Sequence, residues 1–307
     1  MAGTTGRRVL VDGRELRFTN LDKLLWPADG IRKADLIEYY LNVAGVLLPH
    51  LEGRPLTFTR YPDGIEGESF YQKDLPQHAP AWIRVFPYQG EEHLIRFVLA
   101  ADRATLAWAG NLACLEIHPA PWRLPHVDRP DRLVIDLDPA PPATFDHARR
   151  VAVMVRTLLE QLGIRGFPKT SGATGIHVFI PLVPEAGPEE VTRVAETLAR
   201  LLHAARPDLI TLERAVKERT GKVYADYLQN ARGKTMVAPY SPRPLPGAPV
   251  SAPFAWGELE AIDPKEFTLR TMPDLLARRG DLAAGLLGPG HRLSEIAARL
   301  SGAPPPA

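Results

Sequence analysis

The run Leu133-Val134-Ile135-Asp136-Leu137-Asp138-Pro139 places two carboxylates one residue apart inside an apolar, β-branched stretch. In a strand, residues i and i+2 project from the same face, so Asp136 and Asp138 project together, roughly 7 Å apart along the strand. Two like charges at the end of an apolar strand repel, and a divalent metal is the usual compensation. Paired carboxylates holding Mg²⁺ or Mn²⁺ are an apparatus for phosphoryl and nucleotidyl transfer. The plain alternative is a solvated strand end ahead of a turn at Pro139.

A second stretch, Lys169-Thr170-Ser171-Gly172-Ala173-Thr174-Gly175-Ile176-His177-Val178, sets two glycines among hydroxyl residues between two extended segments. Such a loop lets backbone N–H groups and hydroxyls approach phosphate oxygens, with His177 close by on the following strand. An ordinary glycine turn with a half-buried histidine fits the same residues. A third stretch, Lys222-Val223-Tyr224-Ala225-Asp226-Tyr227-Leu228-Gln229-Asn230, carries an acid within an apolar, aromatic strand. Alone, Asp226 reads as a satisfied buried polar group. Beside the Asp136/Asp138 pair it becomes a third ligand, and three carboxylates can hold two metals that clamp an in-line displacement. Downstream, Arg232, Lys234 and Arg243 are cations that could neutralise a triphosphate.

The elements that must position these groups follow from periodicity and turn chemistry. Residues 8–18 read as a hairpin around Asp12-Gly13. Lys33 to Leu48 reads as an amphipathic helix ended by Pro49. Short strands are expected at 56–60, 95–99 and 115–118, with a helix over 103–112. After the Asp-x-Asp strand come a helix from about Asp146 to Leu162 with Gly163 at its C-terminal cap, an apolar strand over 176–182, and a helix from Pro188 to about His203. Strands are expected at 223–228 and 235–238. Alternating elements with several adjacent strands favour a mixed α/β domain.

Composition sets limits. The 307 residues suffice for one large two-lobed domain or two smaller ones. No apolar run approaches the roughly 20 residues needed to cross a membrane, and the first residues lack the apolar core of a signal peptide. The single cysteine, Cys114, excludes an internal disulfide and a cysteine-rich zinc site. The other histidines, His50, His78, His93, His126, His147, His203 and His291, show no metal-ligand spacing, so a histidine-based zinc site is not expected. A net charge of +1 does not announce nucleic-acid binding, so any grip on a polyanion must be local. A cytoplasmic location is the default expectation.

Taken together, the Asp-x-Asp strand, the Ser-Gly-x-x-Gly-x-His loop and the later Asp strand resemble the archaeo-eukaryotic primase-polymerase superfamily. The blocks Thr19-Asn20-Leu21-Asp22-Lys23-Leu24-Leu25-Trp26-Pro27, Lys33-Ala34-Asp35-Leu36-Ile37-Glu38-Tyr39-Tyr40, Phe70-Tyr71-Gln72-Lys73, Leu115-Glu116-Ile117-His118-Pro119 and Asp226-Tyr227-Leu228-Gln229-Asn230 look like the polymerase domain of bacterial DNA ligase D. The resemblance runs from about residue 8 to about residue 280. It implies a primase-polymerase fold, with mixed β-sheets flanked by helices in a two-lobed single domain around a central active-site cleft. The expected domain spans residues 1–290, with a flexible tail over 291–307.

At matching positions the resemblance implies roles. Asp136, Asp138 and Asp226 would be catalytic, metal-binding carboxylates for two Mn²⁺ or Mg²⁺ ions. Ser171, Gly172 and His177 would hold the phosphates of a nucleoside triphosphate, with His118 near its sugar or base and Arg219, Gln229 and Arg243 adding contacts. Lys23 and Lys33 would form a pocket for the 5′-phosphate of a gapped duplex. Phe70 and Tyr71 would meet template bases, and Lys73 would join the DNA grip. The implied activity is templated extension and gap filling at DNA ends in non-homologous end joining, with a preference for ribonucleotides. DNA ends, Ku and a separate ATP-dependent ligase are the implied partners, and no membrane. Two departures stand out: Thr174 occupies a position where members often have Lys or Arg, and Tyr71 replaces the second Phe of a frequent Phe-Phe pair. The rival readings are a non-catalytic scaffold that binds 5′-phosphorylated ends, and a metal-dependent phosphoesterase or nuclease.

Overall fold

The computed structural model describes residues 6–302. The chain divides into two compact units, one of residues 1–120, 237–251 and 265–280, the other of residues 121–236, 252–264 and 281–307.

The first unit opens with the expected hairpin, β1 (Arg7–Val11) and β2 (Arg14–Phe18). Asp12 and Gly13 both take positive φ, 47° and 74°, as a two-residue hairpin turn requires. A small ladder, β3 (Leu24–Trp26) with β4 (Ile31–Arg32), leads into helix α1 (Lys33–Leu51). Then come β5 (Leu56–Arg60), β6 (Phe70–Gln72), β7 (Val85–Gln89), β8 (Leu94–Val98), helix α2 (Arg103–Asn111) and β9 (Cys114–Pro119). Strand β5 pairs antiparallel with β9 on one side and with β6 and β8 on the other, and β7 pairs with β8. Helix α1 buries Leu36, Ile37, Tyr40, Val43, Ala44 and Leu47, its apolar stripe, and packs on α2. Gly110 of α2 lets the helices meet closely, since a Cβ there would stand 3.0 Å from Cγ1 of Ile37. The buried hydroxyls are satisfied: Tyr39 donates to the Tyr240 carbonyl at 2.7 Å and Tyr40 to that of Cys114 at 2.8 Å.

The second unit holds β10 (Arg132–Pro139), helix α3 (Phe145–Gln161), β11 (Phe167–Thr170), β12 (Ile176–Pro181), helix α4 (Pro188–Ala205), β13 (Ile210–Thr211) and β14 (Val223–Asp226). These strands form one sheet in the order β11-β12-β10-β14-β13, antiparallel except for the last pair. Helices α3 and α4 pack on β10 through stripes such as Val151, Val155, Leu158, Val194, Leu198 and Leu202. Leu133, Ile135 and Leu137 of β10 are buried on the face opposite Val134, Asp136 and Asp138. On that second face the register sets Phe167, Phe179 and Val134 side by side in an apolar row. Leu286 packs on this row. Helix α5 (Met272–Arg279) belongs to the first unit and α6 (Leu293–Leu300) to the second.

Four expectations change. Helix α1 continues through Pro49 to Leu51, because a proline in the final turn removes only its own N–H bond. Strand β14 stops at Asp226, whose carboxylate caps Leu228 N–H at 3.0 Å and starts a 3₁₀ turn over Tyr227–Asn230. Residues 235–238 form no strand. Instead of a tail from residue 291, α6 buries Leu293, Ile296 and Leu300, packing on α4. The rest of the expected tail, residues 303–307, lies outside the described residues.

The Ser171–Gly175 loop is pressed against β10. A Cβ at Gly175 would stand 2.4 Å from the carbonyl oxygen of Leu137, backbone that lies between the two acids. Gly175→Ala is therefore expected to cost about 1–3 kcal/mol through overpacking. Gly257→Ala, where nothing lies within 4 Å of the added Cβ, should stay within about 0.5 kcal/mol. Urea denaturation of both variants checks the contrast, and equal midpoints would contradict it.

Candidate functional site

Strand β10 lies between β12 and β14, and its register decides which side chains meet. Asp136 is opposite His177 of β12 on one side and opposite Asp226 of β14 on the other. His177 is in turn opposite Lys169 of β11. Directly opposed residues of antiparallel strands share a face with Cβ atoms about 4.5–5.5 Å apart. The result is one cross-sheet row, Lys169–His177–Asp136–Asp226, with Asp138 two residues along β10 on the same face. It follows the apolar row of Phe167, Phe179 and Val134, so the face changes from oily to ionic within one step of the pleat.

The contacts along this row are specific. His177 Nε2 lies 3.4 Å from Asp136 Oδ1, and its Nδ1 lies 2.8 Å from Lys169 Nζ. Asp226 Oδ1 accepts hydrogen bonds from the Tyr224 hydroxyl at 3.1 Å and from Leu228 N–H, and its Oδ2 accepts from Gln229 Nε2 at 3.2 Å. Asp138 Oδ2 lies 3.7 Å from Arg219 Nη1, and the Arg219 guanidinium stacks 3.6 Å above the Tyr224 ring centroid. Partial burial raises the pKa of Asp138, the Arg219 charge opposes the rise, and the Asp226 charge adds to it. Burial and the Asp226 carboxylate likewise raise the Tyr224 hydroxyl well above its ordinary range. In both, burial leads and the Asp226 charge adds to it.

The loop before β12 is held by its own serine. Ser171 Oγ accepts from Ala173 N–H at 3.1 Å and Gly175 N–H at 3.0 Å, and Ser171 N–H donates to the Gly175 carbonyl at 2.9 Å. Gly172 takes φ 74°, a left-handed turn that favours glycine.

The expected site residues fall into two groups. Asp136, Asp138, Asp226, Ser171, Gly172, His177, Arg219 and Gln229 belong to the second unit, around one sheet face. His118, Arg243, Lys23, Lys33, Phe70, Tyr71 and Lys73 belong to the first. Here Gln229 is bound to Asp226 and Arg219 to Asp138, so both act first as partners of the acids. Among the described residues no three His, Cys, Asp or Glu side chains converge as a ready-made metal cage. The acids nevertheless suit a hard divalent cation: three carboxylates share one face, and Asp138 is raised by burial first and then by the Asp226 charge, against the pull of Arg219.

Within the first unit, Lys23 and Lys33 flank the Leu24/Arg32 pair of the β3–β4 ladder, and Lys33 N–H donates to the Lys23 carbonyl at 2.8 Å. Lys33 is 6% exposed and its Nζ donates to the Asn111 carbonyl at 3.0 Å. Burial, then the charges of Lys23 and Arg60, lower its pKa to about 8. Lys23 pairs with Asp63. Phe70 and Tyr71 on β6 are 53% and 56% exposed, and Lys73 Nζ lies 6.0 Å from the Tyr71 ring centroid. Tyr71 also meets His118 edge-on at 6.1 Å.

Two groups were not expected from sequence. Glu116 is buried and pairs with Arg243 Nε at 2.7 Å and His118 Nε2 at 3.3 Å. Although burial pushes its pKa up, the hydrogen bond from His118 and the charge of Arg243 outweigh it and hold the carboxyl down at about 2. The i, i+2 spacing of Glu116 and His118 in a strand was the available signal. Lys169 is the other, and its signal was the short β11–β12 hairpin that sets it opposite His177.

The comparisons with known proteins follow this geometry. The profile of the LigD primase-polymerase domain matches residues 32–283. The chain is 39% identical over 268 residues to the bifunctional non-homologous end joining protein LigD of Bacillus subtilis, covering 87% of this chain and 43% of that protein. It is 35% identical over 273 residues to the multifunctional non-homologous end joining protein LigD of Mycolicibacterium smegmatis, covering 88% and 36%. The chain thus spans less than half the length of these two relatives. The solved polymerase domain from Mycobacterium tuberculosis ligase D in complex with DNA matches with a TM-score of 0.83 at 35% identity, covering 90% of this chain and 99% of that one. Mixed α/β architecture, motif order and these matches agree: the chain belongs to the LigD primase-polymerase domain family.

Proposed function

We propose that this chain is a template-directed, metal-dependent nucleotidyltransferase that extends DNA 3′ ends and fills gaps at double-strand breaks during non-homologous end joining, with ribonucleotides preferred. The observation that carries the reading is the in-register placement of Asp136 opposite Asp226, with Asp138 two residues on and the Ser171–His177 loop on the adjoining strand. Acids and phosphate donors thereby share one sheet face. A scaffold that only binds ends has no use for such crowded acids, and a phosphoesterase has no use for a second set of phosphate donors beside them.

Asp136, Asp138 and Asp226 would hold two divalent cations, Mn²⁺ or Mg²⁺, which when bound supply charge neutralisation for the triphosphate and Lewis acidity at the α-phosphorus. The chain's own groups do the rest. The Ser171 hydroxyl and His177 donate to phosphate oxygens, and the loop backbone at Gly172 lies close to them. Arg219, held by Tyr224 and the acids, offsets negative charge at the β10 terminus. In the reaction the primer 3′ hydroxyl gives its proton to water, its oxygen bonds to the α-phosphorus, the α–β phosphoanhydride bond breaks, and pyrophosphate leaves with the electron pair. His118 and Arg243, tied by Glu116, would meet the sugar or base and the triphosphate. Lys23 and Lys33 would grip a 5′-phosphate, and Phe70 and Tyr71, exposed on β6, would stack on template bases while Lys73 adds charge. Ku and a separate ATP-dependent ligase are the partners this reading implies, with the work done at the nucleoid.

Purified protein with Mn²⁺, a gapped duplex carrying a 5′-phosphate and nucleoside triphosphates should extend the primer, faster with ribonucleotides than with deoxyribonucleotides. Asp136→Ala should lose extension by about 100-fold or more while still binding DNA, since deleting a group that stabilises charge at a reacting centre commonly costs that much. Extension at the wild-type rate in that variant refutes the assignment.

Lys33 generates a pH prediction. A folded pKa of about 8, below the ordinary lysine value of 10.5, means that protonated Lys33 costs stability below about pH 8. That cost is relieved as pH rises from about 8 towards 10.5, because the unfolded chain then binds the extra proton. A 5′-phosphate needs the charged form, so affinity should move the other way, falling between pH 7 and pH 9. Fluorescence anisotropy with phosphorylated and unphosphorylated gaps tests it. The phosphate-dependent gain in affinity should shrink with pH in the wild type and be small and flat in Lys33→Met. A gain unaffected by Lys33→Met rules out the pocket.

A further inference from the structure

Lys169 is 1% exposed, on β11, the edge strand of a sheet whose neighbouring cross-strand row is apolar. A buried ammonium is costly unless it is paired, and a methionine would continue the packing of Phe167 and Phe179 without that cost. Its environment says what it does instead. Nζ lies 2.8 Å from Nδ1 of His177 and 5.6 Å from the Phe179 ring centroid. The row it belongs to also carries Asp136 and Asp226, so a cation at this position offsets like-charge repulsion.

An ammonium has donors and no acceptor. Nδ1 of His177 must therefore accept, and the single proton of the neutral ring sits on Nε2. That nitrogen is turned to the carboxylate side of the row, 3.4 Å from Asp136 Oδ1. With the other tautomer a lone pair at Nε2 would face carboxylate and phosphate lone pairs, and repel both. The hydrogen bond at one ring nitrogen thus decides the chemistry at the other.

We propose that Lys169 is a positioning residue that holds His177 in the Nε2–H tautomer, so that His177 presents a neutral N–H donor to the phosphates of the incoming nucleotide. Lys169 touches neither nucleotide nor metal; it acts through His177. The inference rests on the reading of His177 as a phosphate donor.

The test is ¹⁵N NMR of the imidazole rings in the full chain, metal-free and without nucleotide, with the His177 signals assigned by their loss in His177→Gln. The wild type should show Nδ1 as an unprotonated, pyridine-type nitrogen and Nε2 as a protonated, pyrrole-type one. Lys169→Met should give a mixture of tautomers, and Lys169→Gln, whose amide can still donate, should keep the wild-type pattern. In primer extension Lys169→Met should raise KM for the nucleoside triphosphate by about 10-fold or more, the usual loss when a functional histidine loses its orienting partner. Lys169→Gln should recover most of it. A protonated Nδ1 in the wild type overturns the proposal, as does an unchanged KM in folded Lys169→Met. Should Lys169→Met fail to fold, the wild-type spectrum and Lys169→Gln still decide. Since the spectra need no substrate, the expected tautomer in a protein that extends no primer would defeat the polymerase reading and leave the tautomer assignment standing.

Discussion

Asp136 faces His177 on one side and Asp226 on the other because β10 runs antiparallel between β12 and β14 in a single register. Side chains alternate with a period of two, so a slip of one residue would send both β10 acids to the opposite face and bring Leu137 out to the ionic one. The helices prevent it. Leu133, Ile135 and Leu137 are locked under α3 and α4, and Val134 sits in the apolar row with Phe179. The core therefore fixes the site: the packing that buries one face of the strand sets the acids on the other.

The same placement concentrates negative charge, and the neighbourhood shows how the chain lives with it. Asp226 spends its oxygens on Leu228 N–H, Tyr224 and Gln229, Asp138 faces Arg219, and Asp136 faces a histidine backed by a buried lysine. These contacts hold three acids near one another without neutralising them outright. A site of this kind favours a cation and a polyanion arriving together. The first unit repeats the logic with the signs exchanged: Glu116, a buried anion, ties Arg243 and His118, and Lys33 stays buried beside Lys23 and Arg60.

Much of this was legible in the sequence, and the reasons are local. The Asp12-Gly13 hairpin follows from two residues that tolerate positive φ, and the Asp-x-Asp face from the two-residue period of a strand. The apolar stripes of α1, α3 and α4 follow from the helical period. What stayed hidden depends on pairing across the sheet. That Lys169 meets His177, that Gln229 binds Asp226, and that Arg219 stacks on Tyr224 are consequences of register and turn geometry that no linear pattern states. Helix α6 was missed because the Gly- and Pro-rich stretch before it resembles the start of a tail, whereas its leucines find their partner in α4, some hundred residues earlier in the chain.

The central claim is that the face shared by Asp136, Asp138 and Asp226 is where divalent cation and triphosphate are held. Titration of Mn²⁺ followed by electron paramagnetic resonance, with a nucleoside triphosphate present, measures this directly in wild type and in Asp226→Asn, which keeps the shape of the side chain and removes its charge. The account predicts that the variant stays folded and binds Mn²⁺ at least about tenfold more weakly, a change of about 1.4 kcal/mol. Identical binding curves for the two proteins would contradict it.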